Sequence, residues 1–281
     1  MKHLFITDLD GTLLNRESRV SDRSAAIISR LSRQGAMISV ATARTPATVE
    51  PLLSHTLTTP PAIVMTGAAM WDRKTLQYIN PRFISNEAAA QIHEACRSHG
   101  ITPFIYTIQP SGIIHTYYSG IPSSKEQKFI DERAHLKLKR MIVNRHPGTD
   151  DPDTYPDTIL IFGLGDAGKI GSLSDCLRAS GICSVSSYPD IFNPSISYIE
   201  IFAPGVSKAS AVETLKKTMD ADRLTVFGDN LNDLPMMAVA DVAVAVENAL
   251  PEVKKAADIV IGTNQSDAVA LYLEQFAQDF E

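Results

Sequence analysis

The stretch FITDLDGTLL, residues 5–14, places Asp8 and Asp10 two positions apart directly after an apolar run, followed by Gly11 and Thr12. Two like charges at a strand end repel each other, and a purely structural reading makes them a turn or a helix cap. Chemistry gives the pair a use. A carboxylate is already ionised at neutral pH, so Asp8 can attack phosphorus without a base to activate it. Asp10 can protonate the departing alcohol and later take a proton from water. Gly11 permits the tight turn that aims both side chains at one point.

Three other segments offer matching chemistry. MISVA (37–41) is followed by Thr42, Ala43 and Arg44, and LTVF (224–227) by GDNLND, which supplies Asp229, Asn232 and Asp233. Lys208 falls in the first turn of a helix expected to begin near Ser207. A cation there opposes the helix dipole by a few tenths to about 1 kcal/mol. Taken singly, each residue has a bland reading. Together, three or four converging carboxylates would raise one another's pKa values unless a divalent cation neutralised them. An all-oxygen donor set favours Mg²⁺. Lys208 and the Thr42 hydroxyl add a cation and a donor, as a phosphate-handling site needs.

These residues must be held by strands, because ligands of an open parallel sheet bind beyond the strands' carboxyl ends. LFIT at 4, MISVA at 37, AIVM at 62, LTVF at 224, VAVAV at 242 and IVI at 259 are short, apolar and mostly β-branched. They read as strands buried on both faces. Ser21 can cap an intervening helix that Gly35 ends. Strand, helix, strand implies an α/β fold with a parallel sheet. From 83 to 190 the strand candidates (ITPFIYT, GIIHTYY) alternate more, with helices expected at 86–98, 122–134 and 167–179. This segment reads as an inserted α+β cap. Pro81 and YPDIFNP (188–194) mark the crossings, which leaves a discontinuous core of residues 1–82 and 191–281.

The 281 residues carry 44% hydrophobic and 21% charged side chains and a net charge of -6. That balance suits a globular protein and disfavours a nucleic-acid or anionic-membrane binder, which needs a basic face. The basic cluster KLKR (137–140) is expected on a solvated surface. Cys96, Cys176 and Cys183 form no C-x-x-C pair and leave an odd thiol, so free thiols in a reducing compartment are expected. The first strand follows Met1 too closely for a signal peptide, and no apolar run reaches the roughly 20 residues of a membrane span. The expected location is cytoplasmic, with no obligate protein partner evident. The acidic GTDDPDTYPD (148–157) lacks the turn glycine of a calcium loop and reads as a solvated loop.

DLDGTLL, Thr42, Lys208 and GDNLND resemble, in order and strand context, the four motifs of the haloacid dehalogenase-like (HAD) superfamily. The insert and FGDNLNDLPMM are similar to its Cof-type hydrolases. The resemblance covers about half of the chain, on both flanks of the insert. It implies a Rossmann-like core, a mobile α/β cap and Mg²⁺-dependent hydrolysis of a phosphate monoester through a phosphoaspartyl intermediate. It further implies Asp8 as nucleophile and Asp10 as acid/base, with Asp8, the Asp10 carbonyl and Asp229 as metal ligands. The Leu9 and Ala43 amides, Thr42, Lys208 and Asn232 would bind phosphate, and Asp233 would orient the metal site or Lys208. Arg44, Thr66 and Gly67 are candidate substrate or cap contacts. Two departures stand out: the family commonly has Gly at Ala43, and often Asn at Thr66.

ILIFGLGDAGKIG (159–171) is a competing signal, with a G-x-G-x-x-G and nearly a P-loop, but Ile170 replaces the required Ser or Thr and Asp166 would repel a phosphate. A glycine-rich turn in the cap is the expected reading. HEACRSH (93–99) has the wrong spacing for a zinc motif and reads as an amphipathic helix. Trp71, Tyr117 and Tyr118 read as packing or cap residues. The expected function is a phosphatase for a small phosphorylated metabolite, a sugar phosphate or a phosphorylated cofactor. A phosphomutase using the same aspartate remains open, as does a nucleotide-binding sensor using the 163–169 loop. A catalytically silent scaffold is disfavoured, since every charged position of the site is present.

Overall fold

The computed structural model describes residues 2–148, 154–190 and 193–278. In chain order the first elements are β1 (His3–Thr7), α1 (Asp22–Arg33), β2 (Met37–Val40), α2 (Pro46–Leu52), β3 (Ala62–Val64), β4 (Ala69–Asp72) and β5 (Gln77–Ile79). Next come α3 (Asn86–Ser98), β6 (Phe104–Ile108), β7 (Ile114–Tyr118), α4 (Ser124–Asp131), β8 (Lys139–Val143), β9 (Thr158–Asp166) and α5 (Ala167–Ser180). Then follow β10 (Ser184–Pro189), β11 (Ile196–Phe202), α6 (Lys208–Thr218), β12 (Arg223–Gly228) and α7 (Leu234–Ala238). The last are β13 (Val242–Val246), α8 (Pro251–Ala256), β14 (Ile259–Ile261) and α9 (Ala268–Gln278).

The chain divides into two compact units, one formed by residues up to Asn80 and from Ser207 onward, the other by Pro81–Val206. In the first unit a parallel sheet runs in the order β14-β13-β12-β1-β2. β1 and β2 bury Leu4, Ile6, Ile38 and Val40 almost completely. Ser21 caps α1 by accepting the Ser24 N–H, and α1 buries Ala25, Ile27, Ile28 and Leu31. From β1 the chain passes to β2 on one side, while β12 leads to β13 on the other. The crevice between β1 and β12 is therefore where the strand order reverses, the usual ligand position in such sheets. The register pairs Thr7 with Phe227, so the residues just beyond both strands are neighbours.

Two of the expected core strands behave differently. AIVM is not a sixth strand of the sheet: β3 joins β4 and β5 in a separate antiparallel sheet, linked through one bridge between Ala41 and Ile63. IVI is not buried on both faces. It forms the edge strand β14, with Ile259 37% and Val260 44% exposed.

The second unit is a six-stranded sheet in the order β10-β11-β9-β6-β7-β8, antiparallel except for the β7–β8 pair. Helices α3, α4 and α5 coincide with the three expected helical stretches. The second crossing is not at YPDIFNP, because β10 and β11 pair with each other across that segment. The alternating ISYIEIF strand also pairs with β9, and its ladder hydrogen bonds bring residues up to Val206 into this unit. The KLKR cluster is not wholly solvated either. Lys137 and Arg140 are exposed, but Lys139 is only 6% exposed, since it opens β8 facing inward. The acidic loop at 148–157 lies partly outside the described residues. Cys96 is buried, Cys176 exposed and Cys183 intermediate, all as free thiols. Among the described residues no helix is long and apolar enough to cross a membrane.

Candidate active site

Asp8 follows β1 directly, donates its backbone N–H to the Phe227 carbonyl (2.9 Å) and is 6% exposed. The next residues, Leu9–Leu13, form one tight turn, in which the Leu9 side chain is fully buried and Gly11 has φ +81°. A Cβ on Gly11 would lie 2.3 Å from Asp229 Oδ2, so glycine is required by both the backbone and the neighbouring carboxylate. The Thr12 hydroxyl donates to Asp229 Oδ1 at 3.0 Å. The turn beyond β1 and the residue beyond β12 thus fix each other.

Lys208 opens α6, which Ser207 caps by accepting the Ser210 N–H. Its side chain is fully buried, and Nζ donates to Asp8 Oδ1 (2.6 Å) and Asp233 Oδ1 (2.7 Å). The other Asp233 oxygen accepts the backbone N–H groups of Asp229 (3.0 Å) and Asn230 (3.2 Å). Asp233 is therefore fully occupied with holding Lys208 and the loop after β12. Burial lowers the Lys208 pKa, but the Asp8 and Asp233 carboxylates more than reverse this, so the ammonium stays charged. Burial pushes Asp8 up against the pull of Lys208, and the Asp233 and Asp229 carboxylates push it further. Ionised Asp8 consequently benefits from any additional positive charge.

The carboxylates of Asp8, Asp229 and Asp233 each offer an oxygen within 4.8 Å of the others. Asp233 is committed elsewhere. Among the described residues, Oδ2 of Asp8 and Oδ2 of Asp229 accept no hydrogen bond. Clustered carboxylates that keep oxygens free of donors suit a hard divalent cation such as Mg²⁺.

Asp10 has a different partner. Arg44 binds it with two parallel hydrogen bonds, Nε to Oδ2 at 2.7 Å and Nη2 to Oδ1 at 2.6 Å. Arg44 belongs to the loop after β2, where the Thr42 hydroxyl accepts the Arg44 N–H (3.2 Å) and the Thr42 carbonyl accepts the Thr66 N–H (3.0 Å). Thr42 is 1% exposed. Ala43 lies outside the left-handed region, so the alanine is accommodated where the family has glycine. Thr66 has φ +57°, a backbone that Asn adopts far more readily than a β-branched residue. Gly67 has an internal reason to be glycine: a Cβ there would sit 2.3 Å from the Ser207 carbonyl, at the start of α6. Asn232 is exposed and, among the described residues, its side chain makes no hydrogen bond.

Sequence reasoning missed Thr12 and Asn248. Asn248 donates to the Gly11 carbonyl (2.8 Å) and accepts the Asn264 N–H (2.9 Å), while Asn264 donates to the Leu14 carbonyl (2.7 Å). Asn248 stands just past the carboxyl end of β13, so the strand-end criterion applied to VAVAV would have found it.

The glycine loop at 163–169 is taken up by packing. Gly163 and Gly165 lie inside β9, where a Cβ would meet Ile199 at 2.9 Å and Ile101 at 2.6 Å respectively. Asp166 caps α5, accepting the Gly168 and Lys169 amides that a phosphate would need.

Residues 5–273 match the family described as haloacid dehalogenase-like hydrolase. The chain is 26% identical over 274 residues, 96% of each chain, to a putative phosphatase of Haemophilus influenzae. It is 25% identical over 269 residues to a 5-amino-6-(5-phospho-D-ribitylamino)uracil phosphatase of Bacillus subtilis, covering 95% of this chain and 92% of the relative. Its fold is similar to a crystal structure of a haloacid dehalogenase-like hydrolase from Bacteroides thetaiotaomicron, with a TM-score of 0.76, 25% identity and coverage of 98% and 100% of the two chains. A parallel-sheet core carrying four clustered motifs, and a family match across nearly its whole length, show that the chain belongs to the haloacid dehalogenase-like hydrolases.

Proposed function

We propose that the protein is a Mg²⁺-dependent phosphatase that hydrolyses a phosphate monoester of a small metabolite through a phosphoaspartyl intermediate on Asp8. The observation that carries this reading is the Lys208 ammonium shared between Asp8 Oδ1 and Asp233 Oδ1, which leaves Asp8 Oδ2 without a donor. That oxygen is the nucleophile. It forms a bond to phosphorus as the ester oxygen departs, and Asp10, entering the step protonated with one oxygen released from Arg44, delivers the proton that frees the alcohol. Water then attacks the acyl phosphate, giving its proton to Asp10, and returns free Asp8 and inorganic phosphate. Asp8 and Asp229 hold the cation, together with the Asp10 carbonyl. When bound, Mg²⁺ offsets the repulsion between Asp8 and the anionic substrate and balances charge on the transferring group. Lys208, Thr42, Asn232 and the Leu9 and Ala43 amides bind the phosphoryl oxygens.

The relatives named as phosphatases support a small phosphorylated metabolite as substrate, a sugar phosphate or a phosphorylated cofactor. Arg44 fits a positioning role, because its planar fork matches the Asp10 carboxylate in two contacts. The test is hydrolysis of an aryl phosphate with Mg²⁺ and with a chelator, in the wild type and in Asp8→Asn. Activity that vanishes with the chelator and in the variant is expected. Metal-independent turnover, or full activity in Asp8→Asn, overturns the reading.

A further inference from the structure

Lys139 has no counterpart in the site just described. It opens β8, the edge strand of the second unit's sheet, where a lysine would ordinarily extend into solvent. Instead its side chain runs inward and only 6% of the residue is exposed. Nζ lies 4.1 Å from the centroid of the Tyr106 ring on β6 and 5.9 Å from that of Phe129 on α4. Among the described residues it makes no hydrogen bond and no ion pair.

The surroundings are equally unusual. Thr116 on β7 stands opposite Tyr106 in the register, so both share the face that Lys139 crosses. Thr116 is fully buried, and its Oγ1 has no hydrogen-bond partner. Arg133 stacks its guanidinium 3.8 Å over the other named ring, Phe129, and Phe129 in turn stacks on Phe162 at 4.9 Å. A second cation thus stands near the first. Burial and the Arg133 charge both push the Lys139 pKa down.

An ammonium out of water and without a carboxylate is costly, and two aromatic faces return only part of that cost. A buried hydroxyl without a partner adds to it. A small organic anion meets both needs by placing an oxygen between the ammonium and the hydroxyl. We propose that Lys139 and Thr116, with Tyr106 and Phe129, form a binding site for a small organic anion on this face of the second unit. The ligand's carboxylate or phosphate-type oxygen accepts from Lys139 Nζ and Thr116 Oγ1. Arg133 supplies additional positive potential. This site uses none of the residues assigned to the phosphatase reaction.

Calorimetric titration of the full chain with benzoate and with phenylphosphonate tests the site, since one carries a carboxylate and the other a non-hydrolysable phosphonate. Saturable binding is expected for at least one probe. Lys139→Met, which keeps the length and removes the charge, should weaken it about tenfold or more. Thr116→Val, an isosteric change, should weaken it several-fold, and Asp8→Asn should leave it unchanged. A probe that binds should raise the melting temperature of the wild type and not of Lys139→Met. If neither probe binds, or both Lys139→Met and Thr116→Val bind as the wild type does, the assignment fails. Should Lys139→Met not fold, Thr116→Val decides. Loss of binding in Asp8→Asn alone would place the probe in the first unit and also overturn it.

Discussion

Arg44 and Asp10, 34 positions apart, form a two-point ion pair with contacts of 2.6 and 2.7 Å. Asp10 sits in the turn after β1 and Arg44 in the loop after β2, so the pair ties two motifs together through their side chains. Both groups are partly exposed, at 52% and 30%, so the pair is worth more as orientation than as stability.

Replacing Arg44 should therefore reduce turnover without unfolding the protein. Arg44→Ala is expected to lower kcat about 10- to 100-fold, the usual consequence of misplacing a reacting group. Arg44→Lys should recover only part, because an ammonium cannot make both contacts. Steady-state kinetics with a generic phosphate ester, alongside thermal melts, separates this from a loss of fold. Full activity in Arg44→Ala would exclude the positioning role.

Lys208 stands between two buried carboxylates, and its removal leaves them facing each other uncompensated. Lys208→Met should destabilise the protein by about 3–5 kcal/mol. Urea unfolding measures this. Asp233→Asn should also destabilise, because the amide keeps one oxygen for the two backbone N–H groups but sets its NH2 donor against the Lys208 ammonium. A Lys208→Met protein as stable as the wild type would contradict the buried ion pairs.

Burial, reinforced by the Asp233 carboxylate, raises Asp229 from 3.8 to about 6. Between those pH values the folded state keeps a proton that the unfolded chain has released, so this group lowers the metal-free protein's stability as pH rises through the window. Above about 6 the penalty is complete, and a divalent cation relieves it by binding the ionised form. The rise in melting temperature caused by Mg²⁺ should thus be small near pH 5 and larger near pH 7.5. A Mg²⁺ effect independent of pH would count against Asp229 as a ligand.

Thr66 carries a left-handed backbone (φ +57°, ψ 19°) and a buried hydroxyl without a hydrogen-bond partner among the described residues. Left-handed conformation disfavours a β-branched residue by about 1–2 kcal/mol, and Asn tolerates it. Thr66→Asn should stabilise the protein by about 1 kcal/mol in denaturant unfolding. Gly67→Ala should do the reverse, since its Cβ would strike the Ser207 carbonyl at 2.3 Å and shift the start of α6. A neutral Thr66→Asn together with a tolerated Gly67→Ala would show that this loop is not strained.

Residue order alone was enough to place Asp8, Thr42 and Asp229 at one sheet edge. Short β-branched runs make parallel strands, and the polar residue after each must emerge at the same edge. The helices of the insert were legible for the same local reason, as amphipathic repeats with caps. What local pattern does not carry is pairing. YPDIFNP looks like a linker until β10 and β11 are seen to bond across it, and IVI looks like core until it proves to be the last strand of its sheet. The partners of each charge also came only from the folded chain. Arg44 on Asp10, Asp233 on Lys208, Asn248 on Gly11 and the inward turn of Lys139 each depend on groups that sequence distance separates and packing brings within hydrogen-bond or ring contact.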